Sequence, residues 1–195
     1  MTRLAVLASG GGSNLQALLD AIDAAGDAAP ARVVLVASDR RAARALDRAR
    51  QRHIAAEHLA DPRDGAALLA LLAAHRIDLV VLAGYLKLVP AEVVHAYAGR
   101  IVNIHPALLP AFGGPGMYGH RVHEAVIAAG ATESGATVHF VTEHYDEGAI
   151  IAQARVPVEP GDTADALASR VLAAEHALYP RTVLELAGRF SARDA

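Results

Sequence analysis

Two polar side chains, Asn103 and His105, close the apolar run Ile101-Val-Asn-Ile-His-Pro106. In an extended chain, residues i and i+2 point to the same face. Asn103 and His105 are therefore expected to project together, with Ile104 turned into a core. Pro106 biases His105 towards extended backbone. An amide beside an imidazole suits acyl transfer. The amide N–H donates to a developing oxyanion, and the imidazole does the same when protonated or carries a proton. The plainer alternative is a strand-end Asn in a turn beside a hydrogen-bonded His.

A carboxylate near an imidazole raises its pKa. Asp146, in the turn Tyr145-Asp146-Glu147-Gly148, is the expected partner that keeps His105 charged. The alternative is an ordinary turn residue. His139 is expected to face the same site from a neighbouring strand. A third signal is Ser9-Gly-Gly-Gly-Ser-Asn14. Glycines at a strand-to-helix turn bring backbone N–H groups up to an anion, and Ser13 or Asn14 is expected to cap the helix. Leu15 stands where a dinucleotide fingerprint needs its third glycine, and no Walker lysine follows. A phosphate monoester therefore fits better than a pyrophosphate, against a bare turn with no ligand.

These groups need elements to hold them. Leu4–Ala8, Val33–Ala37, Leu79–Ala83 and Arg100–Ile104 read as short buried strands. Asn14–Ala25, Arg40–Arg52 and Asp64–His75 carry apolar residues at helical spacing. Gly135–Val141 and Ala149–Val158 read as an antiparallel pair, and a last helix is expected from near Asp162. The fold expected is α/β: an open, mostly parallel Rossmann-like sheet, helices on both faces, and an antiparallel C-terminal strand pair. Pro106–Gly119 is a long loop of the kind that carries function. Ser191–Ala195 is expected to fray.

Composition narrows the classes. The chain of 195 residues suits one domain, 1–195. A formal charge of −3 argues against a nucleic-acid partner. The arginines from Arg40 to Arg52 read as the solvated face of a helix. With no cysteine, disulfides and thiolate chemistry are excluded. No signal peptide or spanning segment is legible, so the expected location is the cytoplasm, with no membrane partner. Ten histidines invite a metal reading, yet none forms His-Glu-x-x-His, and no metal is expected. His123 and Glu124 are expected on the exposed face of a helix.

Together these segments resemble the phosphoribosylglycinamide formyltransferase family of purine synthesis. The resemblance rests on ASGGGSNLQ (8–16), VLAGY (81–85), IVNIHPALLP (101–110), VHFVT (138–142) with Asp146, and EHALYP (175–180). It implies transfer of a formyl group from 10-formyltetrahydrofolate to the amine of glycinamide ribonucleotide, without a metal. It implies catalytic roles for Asn103, His105 and Asp146, and substrate binding by Gly12, Ser13, Asn14 and Glu175. It implies folate contacts from Leu86, Lys87, Leu88, Val89, Asn103, Thr142, Glu143, His144, Tyr145 and Asp146, with Arg63 at the folate's glutamate tail. Lys87 stands where some members carry Arg, and Tyr118 where some carry His, so the role of that His is not carried over. A monomer or homodimer is expected. A formyl-folate hydrolase and a methionyl-tRNA formyltransferase are the related alternatives, and both are expected to need a further domain. A non-catalytic phosphosugar-binding module is the alternative from another class.

Overall fold

The computed structural model describes residues 1–191. Seven strands form one sheet in the order β3-β2-β1-β4-β5-β6-β7. They are β1 (Thr2–Leu7), β2 (Ala31–Ser38), β3 (Ala55–His58), β4 (Leu79–Leu82), β5 (Ile101–His105), β6 (Glu133–Phe140) and β7 (Ile150–Pro157). The first five are parallel, while β6 runs antiparallel to β5 and β7 to β6. This is the expected open α/β sheet.

Leu4–Leu7 and Leu79–Val81 are fully buried, as continuous apolar strands covered on both faces must be. One face packs on α1 (Ser13–Ala25), α2 (Arg44–Gln51), α5 (His120–Ala128) and α6 (Ala164–Ser191), through Val6, Leu15, Leu46, Val126, Leu167 and Val183 among others. The other packs on α3 (Gly65–Ala74) and α4 (Ala91–Ala96), through Leu7, Leu35, Leu68, Leu72 and Val93. Strand order reverses beside β1, which pairs with both β2 and β4. Open α/β sheets bind ligands beyond the strand ends at such a switch point.

The second face is not helical throughout. Asn103, His105, Thr137 and His139 share it, because Asn103 pairs with His139 and His105 with Thr137. Two loops cover them instead, 106–119 and 141–149. Thr137 Oγ1 donates to the Ala107 carbonyl at 2.6 Å and accepts from Leu109 N at 3.0 Å. Gln153 Nε2 donates to the Leu109 carbonyl at 3.0 Å. The first loop is thus pinned to β6 and β7 at its root.

Several boundaries differ from the sequence reading. Residues 40–43 form a turn before α2 rather than its first turn. Strand β3 and helix α4 carry no clear periodic signal; β3 is the four-residue edge segment AAEH, held by pairing with β2. The fraying expected at Ser191–Ala195 falls on residues 192–195, outside the described ones, apart from Ser191, which ends α6.

Candidate active site

The glycine turn enters α1 through Gly12, whose φ of 71° lies in the left-handed region. A Cβ there would stand 2.9 Å from both Cα and Cβ of Ala45 on α2. Only glycine combines that φ with that approach. The N-cap is Gly12 itself, with no side-chain capping bond, which corrects the expectation for Ser13 or Asn14. Asn14 turns away from the helix end, and its Nδ2 donates to Glu175 Oε2 on α6 at 2.7 Å. The solvated-face reading of the arginines also needs amending. Arg48 Nε donates to the Gly11 carbonyl at 2.8 Å and bolts α2 to the turn.

Asn103, His105 and Asp146 meet. His105 is 3% exposed. Its Nε2 donates to the Phe112 carbonyl at 2.8 Å, so the proton of the neutral ring sits there. Its Nδ1 faces Asp146 Oδ2 at 3.5 Å. Asp146 has a φ of 58°, which Asp tolerates better than most residues. Its Oδ2 also accepts from Gly114 N at 2.9 Å. His139 Nδ1 donates to the Phe140 carbonyl at 2.8 Å. Its Nε2 lies 3.1 Å from Asn103 Nδ2 and 3.5 Å from Asp146 Oδ1. His139 therefore touches both the amide of Asn103 and the carboxylate of Asp146.

Burial decides the charge on His105. Desolvation pushes its pKa below the ordinary value, against the opposing pull of Asp146 and the Phe112 carbonyl. This corrects the expectation that Asp146 keeps the ring protonated: in the free protein it is neutral at pH 7. Burial would raise the Asp146 carboxyl, but His139, His105 and the Gly114 N–H outweigh it and hold its pKa low. Burial raises the pKa of Glu175, and Asn14 only partly offsets this.

One cavity of about 630 Å³ joins these groups, within the usual range for small-molecule sites. Its wall contains Asn14, Glu175, Leu86, Lys87, Leu88, Val89, Asn103, His105, Thr142, His144, Tyr145 and Asp146. Gly12 and Ser13 lie beside it at the start of α1, not in the wall. Glu143 points elsewhere, with His95 Nε2 2.5 Å from its Oε1. The Arg63 side chain is 89% exposed and turns onto Asp61. Leu88, Tyr118, Tyr145 and Leu172 are exposed apolar side chains on the cavity wall, the sort of patch that marks a binding surface. Among the described residues, no group of three or more His, Cys, Asp or Glu is placed to hold a metal ion. No helix among them is long and apolar enough to cross a membrane.

Two residues were not legible in these places. His123, expected on an exposed helix face, is buried in the cavity wall. Tyr179 is 1% exposed, and its hydroxyl donates to the Leu82 and Val102 carbonyls at 2.8 and 3.2 Å. It ties α6 to the two strands that lead into the site.

The fold and the strand-end amide, imidazole and carboxylate define a Rossmann-like α/β protein with a polar site at the sheet's reversal. Residues 2–183 match the formyl transferase family, and the chain belongs to that family. It is 44% identical, over 93% of its length, to the chloroplastic phosphoribosylglycinamide formyltransferase of Arabidopsis thaliana. It is 40% identical to the phosphoribosylglycinamide formyltransferase of Escherichia coli (strain K12), over 92% of this chain and 84% of the other. The chain spans 64% of the Arabidopsis relative and 37% of a chloroplastic relative from Vigna unguiculata. The crystal structure of glycinamide ribonucleotide transformylase 1 from Symbiobacterium toebii superposes with a TM-score of 0.87 at 44% identity, covering 96% of this chain and 88% of that one.

Proposed function

We propose that this chain transfers a formyl group from 10-formyltetrahydrofolate to the amine of glycinamide ribonucleotide, as one domain acting on small molecules in the cytoplasm. The observation that carries this reading is the meeting of Asn103, His105 and Asp146 in one cavity with the Asn14–Glu175 pair. The names of the relatives supply the acceptor and the reaction.

The amide N–H of Asn103 donates to the oxyanion that forms when the amine attacks the formyl carbon. His105 Nδ1, neutral and beside Asp146, takes the proton that the amine releases. The imidazolium is then stabilised by the carboxylate and returns the proton to the departing folate nitrogen. One C–N bond forms, one breaks, and the proton moves from the incoming nitrogen to the outgoing one. The charge on His105 thus arises within the turnover.

Gly12, Ser13 and Asn14 receive the phosphate at the start of α1, and Glu175 binds the phosphosugar. The segments Leu86–Val89 and Thr142–Asp146, with Glu143 at their edge, receive the flat folate ring over an apolar rim. Arg63 meets the folate's carboxylate tail outside the cavity. The test is a formyl-transfer assay with and without glycinamide ribonucleotide. Tetrahydrofolate released only with that acceptor is the expected result. Release without it would assign the chain to formyl-folate hydrolysis, and folate binding without turnover would leave only a binding module.

A further inference from the structure

His123 lies in the first turn of α5. It is 5% exposed and forms part of the cavity wall, on the side where α5 packs against α6. A buried histidine ordinarily finds partners for its ring nitrogens. Nδ1 of His123 is buried and has none, and no hydrogen bond joins Nε2 to another described residue. The neutral ring has one N–H and one lone pair to place. A buried N–H without an acceptor is rarer than a buried acceptor without a donor. The proton therefore belongs on Nε2, the nitrogen that is not sealed in. Burial, together with His120 and His105 nearby, keeps the ring neutral by lowering its pKa.

Asn14 is incomplete in the opposite sense. Its Nδ2 is used by Glu175, and its Oδ1 is buried without a partner. Asn14 Oδ1 is as sealed as His123 Nδ1, so what the cavity presents is one unused donor, His123 Nε2–H, in a wall that it shares with the Asn14–Glu175 pair. A ligand hydroxyl or phosphate oxygen satisfies that donor by accepting from it.

We propose that His123 is a substrate-binding residue, whose Nε2–H donates to an oxygen of the phosphosugar. This rests on the reading above that a phosphosugar enters the cavity. It adds to that reading a contact on α5.

The test compares His123→Leu with His123→Gln. Gln keeps an N–H donor close to the Nε2 position, and Leu keeps only bulk. With Leu, KM for glycinamide ribonucleotide should rise roughly ten- to hundredfold, with KM for the formyl donor unchanged within about twofold. Gln should recover most of that loss. Ribose 5-phosphate, titrated by calorimetry, should bind wild type at least about fivefold more tightly than His123→Leu. An unchanged KM with Leu, a Gln variant as poor as Leu, or equal ribose 5-phosphate affinity would overturn the assignment. If His123→Leu does not fold, nitrogen NMR of the wild-type ring decides: a protonated Nε2 whose resonance moves with ribose 5-phosphate supports it, and an unmoved one refutes it. A wild type with no acceptor-dependent turnover would refute the proposed reaction, whereas the ribose 5-phosphate titration would still decide His123.

Discussion

Asp146→Asn removes one charge and leaves the local backbone intact, because Asn tolerates the left-handed conformation as readily as Asp. What changes is the fate of the proton on His105. At 3.5 Å and an effective dielectric of about 20, a carboxylate and an imidazolium attract by about 5 kcal/mol. That attraction exists only once the ring is charged, so its loss falls on the transition state. Each 1.36 kcal/mol is about tenfold in rate, and general acid–base groups contribute about 10²–10⁴. The expected loss in kcat is therefore about 10²–10⁴, with KM for both substrates changed by less than about threefold. Tetrahydrofolate release, followed against pH, is the assay. Wild-type kcat/KM should rise with pH through the lowered His105 pKa and level off by pH 7. In the variant that acid limb should move further down, because the group that opposed desolvation is gone. Activity within about threefold of wild type, or an acid limb that moves up, would refute the assigned proton path.

The carboxyl of Glu175 titrates above its ordinary value, so folding takes up a proton as the pH rises past the unfolded pKa, and stability falls until the folded pKa is passed. Glu175→Gln should therefore melt above wild type at pH 7, by about 2–4 °C for each 1 kcal/mol, with the gap closing below about pH 4, while KM for the acceptor rises. Asp146 is the opposite case. Its lowered pKa stabilises the fold above the unfolded value and that stability is lost as pH falls through the folded pKa. Melting curves of Asp146→Asn and wild type should therefore converge in acid. Gly12→Ala forces a left-handed alanine into Ala45 and should cost about 2–4 kcal/mol in urea unfolding. Tyr179→Phe removes both bonds from α6 to the sheet and should cost about 0.5–1.5 kcal/mol in the same measurement.

The parallel part of the sheet was legible because its strands are apolar on both faces, and β1, β2, β4 and β5 lie within two residues of the expected ends. Asn103 and His105 were legible as a pair because strand periodicity is strict. The charge on His105 was not, since sequence reveals a carboxylate that could approach but not the burial that outweighs it. His123 misled because helical spacing alone gives a face no direction; whether that face meets solvent depends on how α5 lies against α6. Thr137 and Gln153 went unremarked for a related reason: they act by pinning a loop distant in sequence. Alternation along β6 does place Thr137 on the same face as His139, and that was the signal available.

Glu175 and Tyr179 stand four residues apart on α6, one helical turn. Tyr179 grips the ends of β4 and β5, and Glu175, one turn back, meets Asn14. An engineer lengthening this chain would find that turn intolerant. One residue inserted between them would swing Glu175 about 100° around the helix axis. The same residue inserted at Glu159–Gly161, exposed and ahead of the helix, would be absorbed by the loop. The four-residue spacing works as a ruler that holds Glu175 at Asn14 once Tyr179 is seated on the sheet.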